Sequence, residues 1–100
     1  MYAVCVSFRI KDGFEGAFHK RMAQQANDSL TLEADCHHFD ICHNQADPRE
    51  VFLYELYTNE AAFALHNESA HFISFAAEVA DWIEQKTVTT YDLVRTAAAA

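Results

Sequence analysis

The strongest constraint on the fold is the apolar segment at residues 51–57, which reads VFLYELY. It contains no Gly or Pro and is rich in Phe, Tyr and Val, which favours a β-strand buried on both faces. Glu55 is its only charged residue. Because an unpaired buried carboxylate is costly, Glu55 must pair with a partner, face a polar cavity or lie at an exposed edge. The sequence leaves these three alternatives open.

Three other segments alternate with the period of two that is typical of strands. Residues 2–10 place Tyr2, Val4, Val6, Phe8 and Ile10 on one bulky side, which we expect to pack against helices. Residues 36–43 alternate likewise and are joined to the central strand through residues 44–48, which end in Pro48 and predict an antiparallel hairpin. Residues 86–94 predict a final strand.

Two long amphipathic segments predict helices. The first is expected to begin with Asp12 as N-cap and Glu15 three residues on, and to end between Ser29 and Asp35. After the central strand, Thr58 or Asn59 predicts the start of a short helix at Glu60. Residues 67–69 then interrupt it, and a second helix is expected to begin at Ser69. Its apolar face is expected to extend through Ile83 and its solvent-exposed polar face to residue 85.

The order strand, helix, strand, strand, helix, strand predicts an α+β, ferredoxin-like βαββαβ fold. Residues 1–95 would form one domain, and residues 96–100 a disordered tail. Two helices cover one face of a four-stranded antiparallel sheet, so the other face stays uncovered and apolar. Such a face predicts a two-fold homodimer with sheet facing sheet, as in dimeric α+β barrels.

The charge of the chain excludes two classes of partner. Seven basic and 15 acidic residues give a net charge of −8, with no Lys/Arg stripe, so nucleic acid and anionic membranes are not expected partners. No apolar run approaches the ~20 residues needed to span a bilayer, which favours a cytoplasmic protein. The three cysteines are odd in number and are interpreted as reduced thiols.

Several motifs together resemble the antibiotic biosynthesis monooxygenase domain, a family of small dimeric α+β barrel proteins. They are Phe39-Asp40, the run at residues 52–57, Ala62-Phe63 and His66-x-x-Ser69-x-His71-Phe72. The resemblance implies a pocket between sheet and helices, a small-molecule substrate, and no cofactor. It implies a monooxygenase acting on an aromatic quinol or polyketide-like substrate, which delivers an electron to dioxygen once it is deprotonated.

Two departures from the family pattern narrow this expectation. Tyr57 stands where relatives often carry Trp, and Ser7 stands where haem-degrading relatives use Asn, so haem degradation is not expected. An isomerase resembling the autoinducer-2-phosphate group, moving a proton on a small dicarbonyl, remains an alternative. A non-catalytic small-molecule binding module is a third.

The candidate catalytic residues are His71, as base or substrate-oxygen partner, and His66 as its assistant. On one continuous helix, residues five apart differ by about 140° in direction, so the break near Ser69 is needed to bring both imidazoles to one pocket. His66 has an alternative interpretation as a solvated histidine at a helix C-terminus. For His71, at the start of the next helix, the dipole favours the neutral ring that accepts a proton.

Five further residues are candidates for contact with the substrate or with the histidines: Tyr54, Glu55, Phe39, Asp40 and Tyr57. The alternation in residues 36–43 places His38, Asp40 and Cys42 on one strand face, but no metal-binding motif accompanies them, so no metal site is expected there. If the two helical histidines were not the site, it would be sought at His38, Asp40 and His43.

Overall fold

The computed structural model describes residues 1–97. Its strands are β1 (Tyr2–Ile10), β2 (Cys36–His43), β3 (Glu50–Tyr57) and β4 (Ile83–Asp92). Its α-helices are α1 (Glu15–Leu32), α2 (Glu60–Glu68) and α3 (Ala70–Val79), and a 3₁₀ turn at Ala80–Trp82 leads into β4. The predicted βαββαβ order is confirmed, with the second helical region split in two.

One antiparallel sheet with strand order β2-β3-β1-β4 forms the centre of the fold. Val6 in β1 pairs with Leu53 in β3 on one side and with Val88 in β4 on the other. The long connections through helices place β1 and β3 in the middle and leave β2 and β4 at the edges. This is the ferredoxin-like arrangement that the sequence predicts.

The helices cover the face of the sheet that the alternation in β1 predicts. Val4, Val6, Phe8 and Ile10 are all buried there, which confirms the bulky side. In β3, burial alternates: Leu53 is 3% exposed but Phe52 is 40% exposed. The expectation that β3 is buried on both faces is therefore wrong for the single chain, because no element within residues 1–97 covers the face that carries Phe52.

Helix α1 begins later than predicted. Phe14, not Asp12, occupies the N-cap, and no side chain caps the helix. Gly13 adopts a φ of 88°, and its amide donates to the Glu15 carboxylate at 2.9 Å. A turn that requires this left-handed glycine separates Asp12 from the helix, so Glu15 satisfies an amide before the helix rather than completing a capping box with Asp12. The end at Leu32 lies within the predicted interval.

Helix α3 ends earlier than the spacing of its apolar residues predicts. It stops at Val79, and Ile83 already belongs to β4, paired with Ile10 across a register shift. The Trp82 carbonyl accepts from the Lys11 amide at 2.9 Å. Pairing with β1 thus overrides helical spacing, and β4 begins three residues before the predicted strand and ends at Asp92.

The break between α2 and α3 is confirmed. Asn59 caps α2, its side chain accepting from the Ala62 amide at 2.9 Å. Ser69 is both the C-cap of α2 and the N-cap of α3, and its Oγ accepts from the Phe72 amide at 3.3 Å. One residue therefore ends one helix and starts the next.

Three other expectations concern termini, cysteines and membranes. Residues 96 and 97 have no regular secondary structure, and the rest of the expected tail, residues 98–100, lies outside the described residues. Cys5, Cys36 and Cys42 are free thiols, and burial raises the pKa of Cys36 to about 11. No helix within residues 1–97 combines the length and the apolar character that crossing a membrane requires.

Candidate functional site

A cavity of about 340 Å³ lies between the sheet and the helices. Every strand and every α-helix contributes to its wall, so the complete fold is needed to form it. Nine apolar side chains make up most of the lining: Val6, Phe8, Met22, Phe39, Leu53, Phe63, Phe72, Phe75 and Val88. The polar members are Gln25, Glu55, His66, Asn67 and Lys86. A mainly apolar cavity of this size with a few polar groups suits a small organic ligand.

His66 lies on the cavity wall in the last turn of α2 and is 3% exposed. The interpretation of His66 as a solvated helix-terminal histidine is therefore wrong. Its Nδ1 donates to Oε2 of Glu33 at 2.8 Å. Burial lowers the pKa of His66 more than the Glu33 carboxylate raises it, so the ring is neutral at pH 7. With Nδ1 protonated, Nε2 carries the lone pair that accepts a proton.

Glu33 also contacts the second histidine. Its Oε2 lies 2.7 Å from Nε2 of His71, and the two imidazole centroids are 5.9 Å apart. The Nε2 atom is buried, and the contact lacks the direction of a hydrogen bond. The break at Ser69 does bring His66 and His71 together, as predicted. They meet at Glu33, however, and His71 is not part of the cavity wall.

Gln25 of α1 completes this group from the other side. Its Nε2 lies 3.1 Å from Nδ1 of His71 and 3.5 Å from Oγ of Ser29. Gln25 is 1% exposed, and its Oε1 has no hydrogen-bond partner within residues 1–97. A buried amide against a buried imidazole fixes the orientation of the ring.

Glu55 is the second titratable group on the cavity wall. Tyr57, two residues along the same face of β3, donates its hydroxyl hydrogen to Oε1 of Glu55 at 2.6 Å. Burial raises the pKa of Glu55 to about 7, although the Tyr57 hydrogen bond and the charge of Lys86 oppose it. Of the three alternatives left open for Glu55, the structure shows two: the side chain has a hydrogen-bond partner, Tyr57, and it forms part of the polar lining of a cavity. Near neutrality this carboxyl both donates and accepts protons.

Lys86 places a cation at the β4 side of the cavity. Its Nζ lies 5.7 Å from the centroid of the Phe8 ring and 5.8 Å from that of Phe72. Aromatic faces stabilise an ammonium group without neutralising its charge. Lys86 therefore provides positive charge to a cavity that is otherwise apolar.

The other predicted residues separate onto the two faces of the sheet. Phe39 lines the cavity, and Tyr57 lies behind it at Glu55. Asp40 pairs with Tyr54 across β2 and β3 on the face away from the helices. His38 lies on that face too, 2.7 Å from Asp40, whereas the ring of His43 packs against His19. Tyr54 and Asp40 therefore do not join the cavity, and His38, Asp40 and His43 do not form one cluster.

Four polar residues of the site were missed by the sequence analysis: Gln25, Glu33, Asn67 and Lys86. Gln25 belongs to a segment whose pattern predicts an amphipathic helix with its Gln residues on the solvent-exposed face. Glu33 lies among acidic residues just after that helix. Lys86 begins the predicted strand without any motif. No local pattern distinguishes these residues from surface residues, since only the tertiary arrangement brings them to the cavity.

Fold and site together define a class: a ferredoxin-like α+β protein with a mainly apolar cavity between sheet and helices that carries an imidazole and a carboxyl group. The sequence model of the antibiotic biosynthesis monooxygenase family matches residues 1–78. The chain belongs to this family. Membership supports a monooxygenase-like function at the level of the class.

Solved structures agree with this assignment. A Nitrosomonas europaea protein named for the same family has 28% sequence identity and a TM-score of 0.89, covering 95% of this chain and 100% of its own. A Bacteriodes thetaiotaomicron protein named likewise has 15% identity and a TM-score of 0.89, covering 99% of this chain and 94% of its own. The second likeness shows the fold alone. Among curated proteins, none matches the chain.

Proposed function

We propose that the protein is a cofactor-independent monooxygenase that oxidises a small aromatic quinol or polyketide-like compound with dioxygen. The observation that carries this proposal is the neutral imidazole of His66 on the wall of an aromatic cavity of about 340 Å³, held through Nδ1 by Glu33. A phenol enclosed there has a proton acceptor beside it. Aromatic walls suit a planar ring and exclude water.

The first step is proton transfer from the substrate hydroxyl to Nε2 of His66. The imidazolium that forms keeps its Nδ1 hydrogen bond to Glu33, whose negative charge stabilises it at 2.8 Å. General-base catalysis of this kind contributes about 10²–10⁴-fold to a rate. The substrate becomes an electron-rich anion in a cavity of low polarity.

The anion then supplies the electrons for the reaction. It transfers one electron to dioxygen, and the resulting substrate radical and superoxide join in a new carbon–oxygen bond. A proton completes the hydroperoxide. Loss of the hydrogen from that carbon and cleavage of the oxygen–oxygen bond then give a quinone carbonyl and one water. One dioxygen is consumed, one oxygen atom enters the product, and the substrate is the only electron donor.

Glu55 and Lys86 are suited to the later steps. With a pKa of about 7, Glu55 is protonated in part of the molecules at neutral pH and can donate to the leaving oxygen. The Lys86 cation, on the same wall, stabilises negative charge on the substrate anion or on superoxide.

The proposal exchanges the roles that the sequence suggests for the two histidines. His66 lines the cavity and is assigned as the base, because His71 does not reach the wall. His71 contacts Glu33 at 2.7 Å from the far side and is assigned as a positioning residue. Phe39 and Glu55 keep the substrate contacts expected of them, and Tyr57 acts through Glu55.

One observation favours a second candidate, the proton-moving isomerase. His66 and Glu55 line one cavity as a base and an acid, which is the pair that enolisation of a small dicarbonyl requires. Lys86 on the same wall would give an anionic substrate a positively charged anchor. The isomerase needs no dioxygen, and this difference separates the two candidates.

The decisive experiment measures oxygen consumption with a panel of hydroquinones, naphthols and anthrone-like compounds, beside rearrangement of a dicarbonyl sugar phosphate followed by NMR. Oxygen uptake above the background of heat-inactivated protein, with equimolar quinone formed, supports the monooxygenase. Rearrangement without uptake supports the isomerase. Saturable binding without either reaction supports the binding module and overturns both enzymatic proposals.

We also propose that two copies associate through the open sheet face. Phe52 and Tyr91 on that face are 40% and 56% exposed, and Tyr54 and Leu56 lie beside Phe52. A sheet face that carries such apolar residues and is not covered by any helix of residues 1–97 commonly marks an interface. In a two-fold dimer, the patch on one copy packs against the same patch on the other. A second copy of this chain is therefore enough to bury it, and no different partner is needed.

A further inference from the structure

We propose that Glu33, His66 and His71 bind one divalent transition-metal ion, with Zn²⁺ as the probe, and that the ion inhibits the proton transfer assigned to His66. The effect on turnover rests on the proposed function. The binding itself does not, because it follows from the arrangement of three side chains beside the cavity. No part of the proposed monooxygenase reaction passes through this ion.

The three ligand atoms already form a compact group. Oε2 of Glu33, Nδ1 of His66 and Nε2 of His71 lie within 4.8 Å of one another. Ligation at about 2.1 Å in a tetrahedron separates ligand atoms by roughly 3.4 Å, so small outward shifts from the present 2.7 and 2.8 Å contacts admit an ion. Two imidazoles and one carboxylate suit Zn²⁺ and its neighbours and leave a fourth position open.

Two helices and the end of a third hold these ligands. Glu33 is the C-cap residue of α1, His66 lies in the last turn of α2, and His71 lies in the first turn of α3. Ser69 fixes α2 against α3, since its Oγ donates to the His66 carbonyl at 2.7 Å. Ligands on secondary structure are positioned more precisely than ligands on loops, which favours binding.

A buried ring nitrogen without a hydrogen bond supports the inference independently of the distances between the ligands. Nε2 of His71 and Oε1 of Gln25 both lack a partner within the described part of the chain. Exchanging the O and N of the Gln25 amide brings its oxygen to Nδ1 of His71, now 3.1 Å from the amide nitrogen. Nδ1 then donates to Gln25, and Nε2 presents a lone pair beside Glu33. That tautomer is the one a metal ligand requires, and the ion satisfies Nε2.

The group therefore has two alternative states. In the hydrogen-bonded state, the Nδ1 hydrogen of His66 is donated to Glu33 and Nε2 accepts the substrate proton. In the metal-bound state, the ion takes the lone pair of Nδ1, and the neutral ring of His66 carries its hydrogen at Nε2 instead. Nε2 then has no lone pair to accept the substrate proton, so proton transfer from the substrate is blocked.

The binding test uses full-length protein treated with chelator, dialysed, and titrated with ZnCl₂ by calorimetry. We expect one ion per chain, with affinity reduced about tenfold or more in Glu33→Gln and in His71→Gln. His38→Gln is the matched control, because it removes an imidazole paired to a carboxylate on the open sheet face. Zinc binding that is unchanged in Glu33→Gln and lost in His38→Gln overturns the proposal.

A measurement on the wild type covers the case in which a variant does not fold. Ring ¹⁵N shifts of the six histidines are recorded with and without one equivalent of Zn²⁺. The expected result is a change at Nδ1 of His66 and Nε2 of His71 and none at His38. Unchanged shifts at both His66 and His71 overturn the site.

The link to function is tested separately with the best substrate from the oxygen panel. Added Zn²⁺ is expected to lower kcat in the wild type and not in His71→Gln, and chelator is expected to restore it. Zinc ligation that leaves kcat unchanged overturns the inhibitory role and leaves the site standing. A panel without any oxygen uptake overturns the proposed function, and the zinc titration still decides the site.

Discussion

Tyr57 and Glu55 lie two residues apart on one face of β3, and the tyrosine hydroxyl donates to the carboxyl at 2.6 Å with both side chains buried. The bond keeps Glu55 next to the cavity and moderates the effect of burial on its pKa. Burial nevertheless dominates, and the pKa of about 7 makes this carboxyl responsive near neutral pH.

Glu55→Gln is expected to change the pH dependence of stability. Burial raises the pKa of Glu55 from 4.5 to about 7, so between these values the folded state binds the proton more tightly than the unfolded state. The stabilisation that protonated Glu55 gives the folded state is complete below pH 4.5 and is lost as pH rises through 7. The neutral amide lacks it, so urea denaturation from pH 4.5 to 8 should show a smaller decline in Glu55→Gln than in wild type.

The difference between the two proteins isolates Glu55 from the groups that surround it: Tyr57, Lys86, Glu33 and His66. Glu68→Gln, which removes an exposed carboxylate from the end of α2, serves as control and should retain the wild-type slope. Parallel curves for wild type and Glu55→Gln would show that Glu55 does not titrate in this range.

Tyr57→Phe is expected to destabilise the fold by about 1–3 kcal/mol, because it leaves a buried carboxyl without its hydrogen bond. Since that bond lowers the pKa of Glu55, its removal should raise the pKa further. Chemical denaturation measures the first effect, and carboxyl ¹³C shifts measure the second. Tyr54→Phe, on the open sheet face, is the matched control and should stay within about 0.5 kcal/mol of wild type.

His66→Gln is expected to lower kcat/KM by about 10²–10⁴-fold, the usual contribution of a general base. His71→Gln should have a smaller effect of about 10-fold, as expected for a residue that acts through Glu33. Both are measured by oxygen uptake with melting temperature checked, and His38→Gln is the control. A folded His66→Gln variant with wild-type kcat/KM, beside a His71→Gln variant that is inactive, would return the base to His71.

Ser69→Ala is expected to destabilise the protein by about 1 kcal/mol, because it removes the N-cap of α3 and the bond to the His66 carbonyl. Its effect on kcat/KM should exceed what this loss of stability explains, since the cap also sets His71 against Glu33. Ser74→Ala, on the exposed face of the same helix, provides the comparison. Equal melting temperatures for the two variants would argue against the cap.

Phe52→Glu is expected to prevent the proposed dimer from forming, because it would place one charge from each copy in the proposed apolar interface. Light scattering after gel filtration should give the mass of two 11.3 kDa chains for wild type and of one for the variant. Leu65→Glu changes an equally apolar side chain that is 65% exposed on α2 and should stay dimeric. A monomeric wild type at micromolar concentration would contradict the proposed interface.

Most of the fold could be predicted from local patterns because they match the tertiary structure. The alternation in β1 identifies the face that the helices cover, and Asn59 and Ser69 mark the helix ends that the structure shows. Predictions failed where two patterns overlap. Ile83 fits the spacing of α3 but pairs with Ile10 in the sheet, and Asp12 resembles an N-cap but is separated from α1 by the turn at Gly13.

The lining of the cavity could be predicted where its residues occur in motifs and could not be predicted where they do not. His66, Glu55 and Phe39 were identified because they lie in the segments that resemble the family, and all three line the cavity. Glu33, which joins His66 to His71, is 33 positions from the first of them and has no local signature. Tyr54 was misplaced because a strand alone does not show which face meets the helices.

Ser69 ends α2 and begins α3, so no loop separates the helices that carry His66 and His71. One inserted residue would rotate the following helix by about 100° and move it by about 1.5 Å, which takes His71 away from Glu33. The turn at residues 44–49 contributes no residue to the cavity wall, so a change in its length would leave His66 and His71 in place. Evolution of this family is therefore expected to vary the hairpin and to preserve the spacing of four residues between the two histidines wherever Glu33 has a counterpart.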